Sequence, residues 1–320
     1  MKHLLAIEQL SREQIEAILD RAESFAEVGR RDIKKVPTLR GRTVVTLFYE
    51  SSTRTSSSFE LAAKRLSADL VSVKAAGSSV DKGESLKDTI ATLSAYDPAA
   101  IVIRHPYAGA AQMVAGWTAA AVVNAGDGKH EHPSQALLDV YTLRRRLGSL
   151  DGRRIWIVGD VLHSRVARSN LIAFQRMGAE VTVCGPPTLI PRGIEELGCE
   201  VSHSLERLDE AEVVYALRMQ QERMSESFVP SLREYAATFQ VNSRRLHPRQ
   251  LLMHPGPVNR GVELSGEAID SPQSLIAEQV AAGLVVRMAI LYELLAGGER
   301  PQPVSEGDAA AQPTQIGQPA

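Results

Sequence analysis

Cysteine is almost missing from this chain: Cys184 and Cys199 are the only two thiols in 320 residues. Two cysteines cannot build a disulfide framework, and their scarcity fits a reducing compartment. An excess of one charge is missing as well. The 36 basic and 38 acidic side chains leave a net charge of −2, without the basic surplus that a nucleic-acid scaffold or membrane-surface protein normally carries. No apolar run approaches the roughly 20 residues of a membrane-spanning helix. The opening MKHLLAIEQLSREQ turns polar too soon to hold the apolar core of a signal peptide. No H-E-x-x-H helix offers a metal site, and no G-x-G-x-x-G lets a dinucleotide approach. These absences leave a soluble protein, expected in the cytoplasm, with no membrane or nucleic-acid partner.

What is present is an ordinary globular composition, 44% hydrophobic and 23% charged, in a 34.8 kDa chain. That length exceeds one compact core and predicts two domains. Ser11 and Gln14 form a capping box, followed by Ile15, Ile18, Leu19, Ala22 and Phe25 at helical spacing. TVVTLFY (43–49) reads as a buried strand, and FELAAKRL (59–66) as the helix that follows its polar turn. DLVSV, SLKDTIATLSAY, AAIVIR, the segment 107–120 and AVVNAG continue a βαβα alternation, the pattern of a parallel sheet covered by helices. After the helix SQALLDVYTLRRRL the chain turns at Gly148, Asp151 and Gly152, and the alternation restarts with RIWIVGD, RVARSNLIAFQRMG and AEVTVCGPP. EVVYAL and ATFQVN read as further short strands. The segment 271–298 reads as a long apolar helix, with Pro272 near its start and Gly297 just past its end. The fold class expected is α/β, with two doubly wound parallel-sheet domains. Residues 298–320, rich in Pro, Gln, Ala and Gly, are expected to form a disordered tail.

Three polar clusters fall at strand ends of the first half. Ser52, Thr53, Arg54 and Thr55 stand between a strand and a helix start, where unpaired N–H groups and the helix dipole favour anions. Their hydroxyls add donors, and Arg54 adds a planar fork suited to phosphate. Arg104 ends a second strand; His132 and Gln135 follow a third. Taken singly, these are a helix cap, a solvated arginine and a loop histidine. Parallel topology, however, puts all three strand ends on one edge, where open α/β sheets bind ligands. His130-x-His132 also suggests a zinc site, but Pro133 directly after His132 fits a helix-start turn better.

The motifs FYESSTRTSSSFE, SSVDKGESLKDTI, VIRHP, GDGKHEHPSQALLD, VGDVLHSRVARSN, LRMQQER and MHPGPVNRG, in that order, resemble the aspartate/ornithine carbamoyltransferase family from about residue 3 to 297. The resemblance implies transfer of a carbamoyl group from carbamoyl phosphate to an amino acid, with no cofactor or metal. Ser52, Thr53, Arg54 and Thr55 would hold the phosphate. Thr55, Arg104 and His132 would face the carbamoyl oxygen, and Gln135 and the backbone at Gly256 and Pro257 its amine. Arg54, Thr55, Arg104 and His132 would thus be the catalytic group. Arg165 would bind the α-carboxylate of L-aspartate, and Arg218 and Gln220 its β-carboxylate. The resemblance further implies a homotrimer in which Ser78 and Lys82 reach the neighbouring subunit's site, with room for a larger assembly with regulatory chains or a dihydroorotase. Domain boundaries of 1–148, completed by helix 272–297, and 149–271 follow, with the N- and C-terminal helices packed on the first domain.

Ornithine is the rival acceptor. Arg218 puts a guanidinium where an aspartate carboxylate needs a partner, and the family's ornithine branch tends to carry Cys and Arg where this chain has Gly256 and Ser56. Both features favour aspartate, which implies a step of pyrimidine biosynthesis. No residue of the set reads as a general base, so the amine is expected to enter neutral and its proton to leave with the phosphate.

Overall fold

The computed structural model describes residues 1–74, 82–220 and 228–296. Two parallel sheets organise them. In the first, β1 (Thr43–Phe48), β2 (Asp69–Lys74), β3 (Ala100–His105) and β4 (Ala121–Asp127) lie in the order β2-β1-β3-β4. In the second, β5 (Arg154–Val158), β6 (Glu180–Cys184), β7 (Glu200–Ser202), β8 (Val213–Ala216) and β9 (Leu251–Met253) lie in the order β7-β6-β5-β8-β9. Every pairing between these strands is parallel. In both sheets the chain starts at an inner strand, builds to one side, then returns to build on the other. The reversal opens a crevice between β1 and β3, and another between β5 and β8.

The strands read as unbroken apolar runs because both faces of each sheet are covered. Successive side chains point to opposite faces. Val44 therefore joins one buried cluster while Val45 and Leu47 join another, and Ile155 and Ile157 part in the same way from Trp156 and Val158. The covering helices are α1 (Arg12–Val28), α2 (Thr53–Arg65), α3 (Leu86–Ser94), α4 (Ala110–Trp117), α5 (Pro133–Leu147), α6 (Arg165–Arg176), α7 (Leu232–Phe239), α8 (Gly266–Ile269) and α9 (Ile276–Leu295). The Ser11–Gln14 capping box of α1 is formed. The last helix, α9, returns from the second sheet to pack on α1, α2 and α5, so both chain-terminal helices lie on the first half. Phe25 meets Tyr292 edge-on at 5.9 Å, and Arg21 pairs with Glu293 at 3.2 Å. None of the described helices is long and apolar enough to cross a membrane. Both cysteines are buried, and burial pushes the Cys184 thiol up to about 12.

Two readings of local structure are corrected. ATFQVN is not a strand. Its first residues close α7, whose start is capped by Ser231 accepting from the Glu234 N–H, and Leu232, Tyr235 and Phe239 share one face at helical spacing. Only Val241 makes a strand-like bridge, to Leu264. The terminal helix begins at Ile276, four residues beyond Pro272, because the chain first pairs Leu252 with Ser274 beside β9. Ser78, Gly297 and the segment 298–320 lie outside the described residues.

Candidate active site

Both crevices open into one cleft of about 780 Å³. From the first sheet it is lined by Ser52, Thr53, Arg54, Thr55, Arg104, His132 and Gln135. The second half supplies Arg165, Arg218, Gln220, Gly256 and Pro257. Twelve residues picked from sequence, scattered over two hundred positions, thus face the same space. Lys82 is exposed just before α3 and is not among the described residues that line the cleft.

At the turn between β1 and α2, Ser52 caps α2. Its hydroxyl accepts from the Thr55 N–H at 3.3 Å and from Arg104 Nη1 at 3.1 Å. One oxygen therefore fixes the helix start and aims an arginine from the next strand. Thr55, buried, faces Nε2 of His132 at 3.4 Å. His132 is the N-cap of α5, with Pro133 at the first helical position, where the absent N–H costs nothing. Its backbone N–H donates to Ser169 Oγ at 2.8 Å, and that hydroxyl donates to the buried Glu131 at 2.9 Å. His130 instead faces Asp127 at 3.1 Å, so the two histidines serve different partners. The guanidinium of Arg54 lies against Gly256, where an added Cβ would come within 2.7 Å of its Cζ.

Arg165 opens α6 directly after β5, yet is only 3% exposed. It reaches across to the first half, donating to Glu50 Oε2 at 2.5 Å and to the Gly128 carbonyl at 3.1 Å. Burial first, and the neighbouring Arg104 second, pull its guanidinium down to about 10, while Glu50 opposes both. It remains a cation at neutral pH. Glu50 also accepts from Arg104 Nε at 3.1 Å. Among the described lining residues this single carboxylate stands against Arg54, Arg104, Lys129, Arg165 and Arg218. Such a surplus suits a ligand or pair of ligands carrying several negative charges.

Sequence reasoning assigned no role to Glu50, although it lies inside a motif that was singled out; an acidic residue immediately before the Ser-Ser-Thr-Arg-Thr turn was the available signal. It also passed over Asp160, which accepts from the buried His163 at 2.8 Å and from the Gln220 N–H at 3.2 Å and so braces the loop after β8. Nothing local in the sequence marks that contact, because the two loops are sixty residues apart.

The chain matches two family profiles. One, described as the carbamoyl-P binding domain of aspartate/ornithine carbamoyltransferase, covers residues 2–145; the other, described as the Asp/Orn binding domain, covers 151–294. It is 55% identical over 303 residues to an aspartate carbamoyltransferase catalytic subunit of Acidothermus cellulolyticus, covering 93% of this chain and 94% of that one. A protein of the same name from Pelotomaculum thermopropionicum is 56% identical, with 93% and 98% covered. Among solved structures, aspartate transcarbamoylase of Trypanosoma cruzi in complex with carbamoyl phosphate and aspartate superposes with a TM-score of 0.83 at 33% identity, covering 92% of this chain and 97% of that one. The catalytic subunit of M. Jannaschii aspartate transcarbamoylase gives 0.81 at 36% identity, covering 93% and 100%.

Proposed function

The chain belongs to the aspartate/ornithine carbamoyltransferase family, and from that premise we propose that it transfers the carbamoyl group of carbamoyl phosphate to L-aspartate, giving N-carbamoyl-L-aspartate and phosphate. The observation that carries this reading is the single cleft in which phosphate-type donors from one sheet meet three further arginines.

The aspartate nitrogen attacks the carbamoyl carbon, the C–O bond to phosphate breaks, and negative charge grows on the carbonyl oxygen and the leaving group. Ser52, Thr53, Arg54 and Thr55 receive the phosphate at the N-terminus of α2. Arg104, His132 and Thr55 meet the carbonyl oxygen; Gln135 and the backbone at Gly256 and Pro257 accept from the carbamoyl amine. Arg165 holds the α-carboxylate, and Arg218 with Gln220 the β-carboxylate. Fixed donors at developing charge are worth about 3–4 kcal/mol each, and confinement of both reactants adds to that. The amine enters neutral and its proton departs with the phosphate.

The active form is a homotrimer in the cytoplasm in which Ser78 and Lys82 complete the neighbouring subunit's site. The exposure of Lys82, away from its own chain's cleft, supports that arrangement. A side-by-side assay of carbamoyl phosphate with L-aspartate and with L-ornithine tests the reaction. Product from aspartate alone is expected. Product from ornithine would reassign the second substrate, and product from neither would remove the activity.

A further inference from the structure

Asp139 is fully buried on α5 and is not among the described residues lining the cleft. Four side chains nevertheless converge on its carboxylate. Oδ1 accepts from Gln279 Nε2 at 2.7 Å and from Gln135 Nε2 at 3.1 Å. Oδ2 accepts from the Tyr215 hydroxyl at 2.7 Å and from Asn170 Nδ2 at 2.9 Å. These partners come from α5, α6, β8 and α9, so one carboxylate ties both halves of the molecule together.

A carboxylate anion has only acceptor positions, and an amide that approaches it must turn its NH₂ inward. Gln135 is thereby left with Oε1, a pure acceptor, for the cleft. Gln279 is constrained in the same sense. With its nitrogen on Asp139, its Oε1 accepts from the His254 N–H at 3.0 Å. His254 then accepts at Nδ1 from the Gly256 N–H at 2.8 Å, which holds that donor inside the loop. The polarity of the Gln135 amide and the seat of the His254 backbone thus trace back to a single oxygen atom, Oδ1 of Asp139, while Glu263, 3.3 Å from His254 Nε2, keeps Nδ1 the acceptor.

We propose that Asp139 is a positioning residue for recognition of the carbamoyl amine: it orients the Gln135 amide directly, and the Gly256–Pro257 backbone through Gln279 and His254, so that acceptors face the substrate's N–H groups. The inference rests on the assignment of carbamoyl phosphate as donor substrate. Its ionic form is consistent with the surroundings. Burial pushes the Asp139 carboxyl up to about 6 against the pull of its four donors, so at neutral pH it is an anion. The buried guanidinium of Arg287 on α9 adds a favourable charge.

The test uses a donor that lacks the amine. Acetyl phosphate keeps the phosphate and carbonyl of carbamoyl phosphate but carries a methyl group in place of NH₂. Dissociation constants for both are measured by calorimetry on the wild type, Asp139→Asn, Gln279→Met and Tyr215→Phe. Asp139→Asn and Gln279→Met are expected to weaken carbamoyl phosphate by about tenfold or more, the scale of one or two lost hydrogen bonds. Acetyl phosphate should change by less than about twofold on the same scale, and Tyr215→Phe, which removes the Oδ2 donor and leaves both glutamine bonds to Oδ1 in place, should change the ratio less than either of those variants. Equal losses for both ligands would mean a merely structural role and overturn the proposal, as would no loss for either. Should Asp139→Asn fail to fold, Gln279→Met, which keeps its shape and touches no substrate, decides alone. A wild type that turns over carbamoyl phosphate while its variants show no selective loss sinks only this inference; a wild type that binds no carbamoyl phosphate sinks the function and the inference together.

Discussion

Gly126 lies where β4 runs out, with a φ of +114°, and a Cβ there would come within 2.9 Å of Arg165 Nε. Both facts demand glycine: the backbone conformation is one that side chains rarely adopt, and the guanidinium occupies the space. Gly126→Ala is expected to displace Arg165 and raise KM for L-aspartate by about tenfold or more, since small misplacements of a positioning group are costly. The KM for carbamoyl phosphate should move far less, and steady-state kinetics in both substrates would show the split. A second prediction concerns Asp139. Its carboxyl rises from an ordinary 3.8 to about 6, so between those values the folded protein holds a proton that the unfolded chain has lost. Folding is therefore favoured below pH 4, and that contribution, on the order of 3 kcal/mol, disappears as pH rises through 6. Urea titrations at pH 4, 5 and 6 should show the wild type losing stability relative to Asp139→Asn across that window. Parallel curves would contradict it. Neither residue announces itself in the sequence, where Gly126 is one of 23 glycines and Asp139 one more polar position on an amphipathic helix.

At the scale of elements, helix starts supply much of the cleft's lining. Those of α2, α5 and α6 each deliver a site residue, because each follows a strand at the open edge of a parallel sheet. Their signals were legible: serine or histidine at the cap, proline or arginine just inside. The same caps also act where no chemistry occurs. Ser11 and Gln14 satisfy each other's backbone donors at the start of α1, far along the chain from the cleft residues. Ser11→Ala should lower stability by about 1 kcal/mol, seen as a lower urea midpoint, while kcat and both KM values stay unchanged. The elements that sequence misjudged are the short ones. In α7 Leu232, Tyr235 and Phe239 follow three- and four-residue spacing, but ATFQVN alone is too brief to tell a helix turn from a strand. β7 and β9, three residues each, are strands only because a longer neighbour offers them a ladder.

For the whole molecule, the cleft is shared. Arg165 from the second half already bonds Glu50 and Gly128 in the first, and Tyr215 and Asn170 bond Asp139. Filling the cleft with a ligand that spans both halves should draw them closer and exclude water. The solved T. cruzi aspartate transcarbamoylase was also studied with N-(phosphonacetyl)-L-aspartic acid, a suitable probe here. X-ray scattering is expected to show a smaller radius of gyration with it than without. Equal radii would argue against closure.

By itself, the sequence determined the class of the fold and named most of the charged residues that line the cleft. Strand periodicity, caps and the placement of Ser52, Arg104 and His132 at strand ends depend on neighbours within a few positions, and local patterns carry them. Tertiary structure alone decided what couples these groups. Glu50 between two arginines, Asp160 under Gln220 and Asp139 against Gln279 and Tyr215 are contacts between residues far apart in the chain. A buried carboxylate's partners are chosen by packing, which brings donors from four elements to one point, and no short window of residues contains that information.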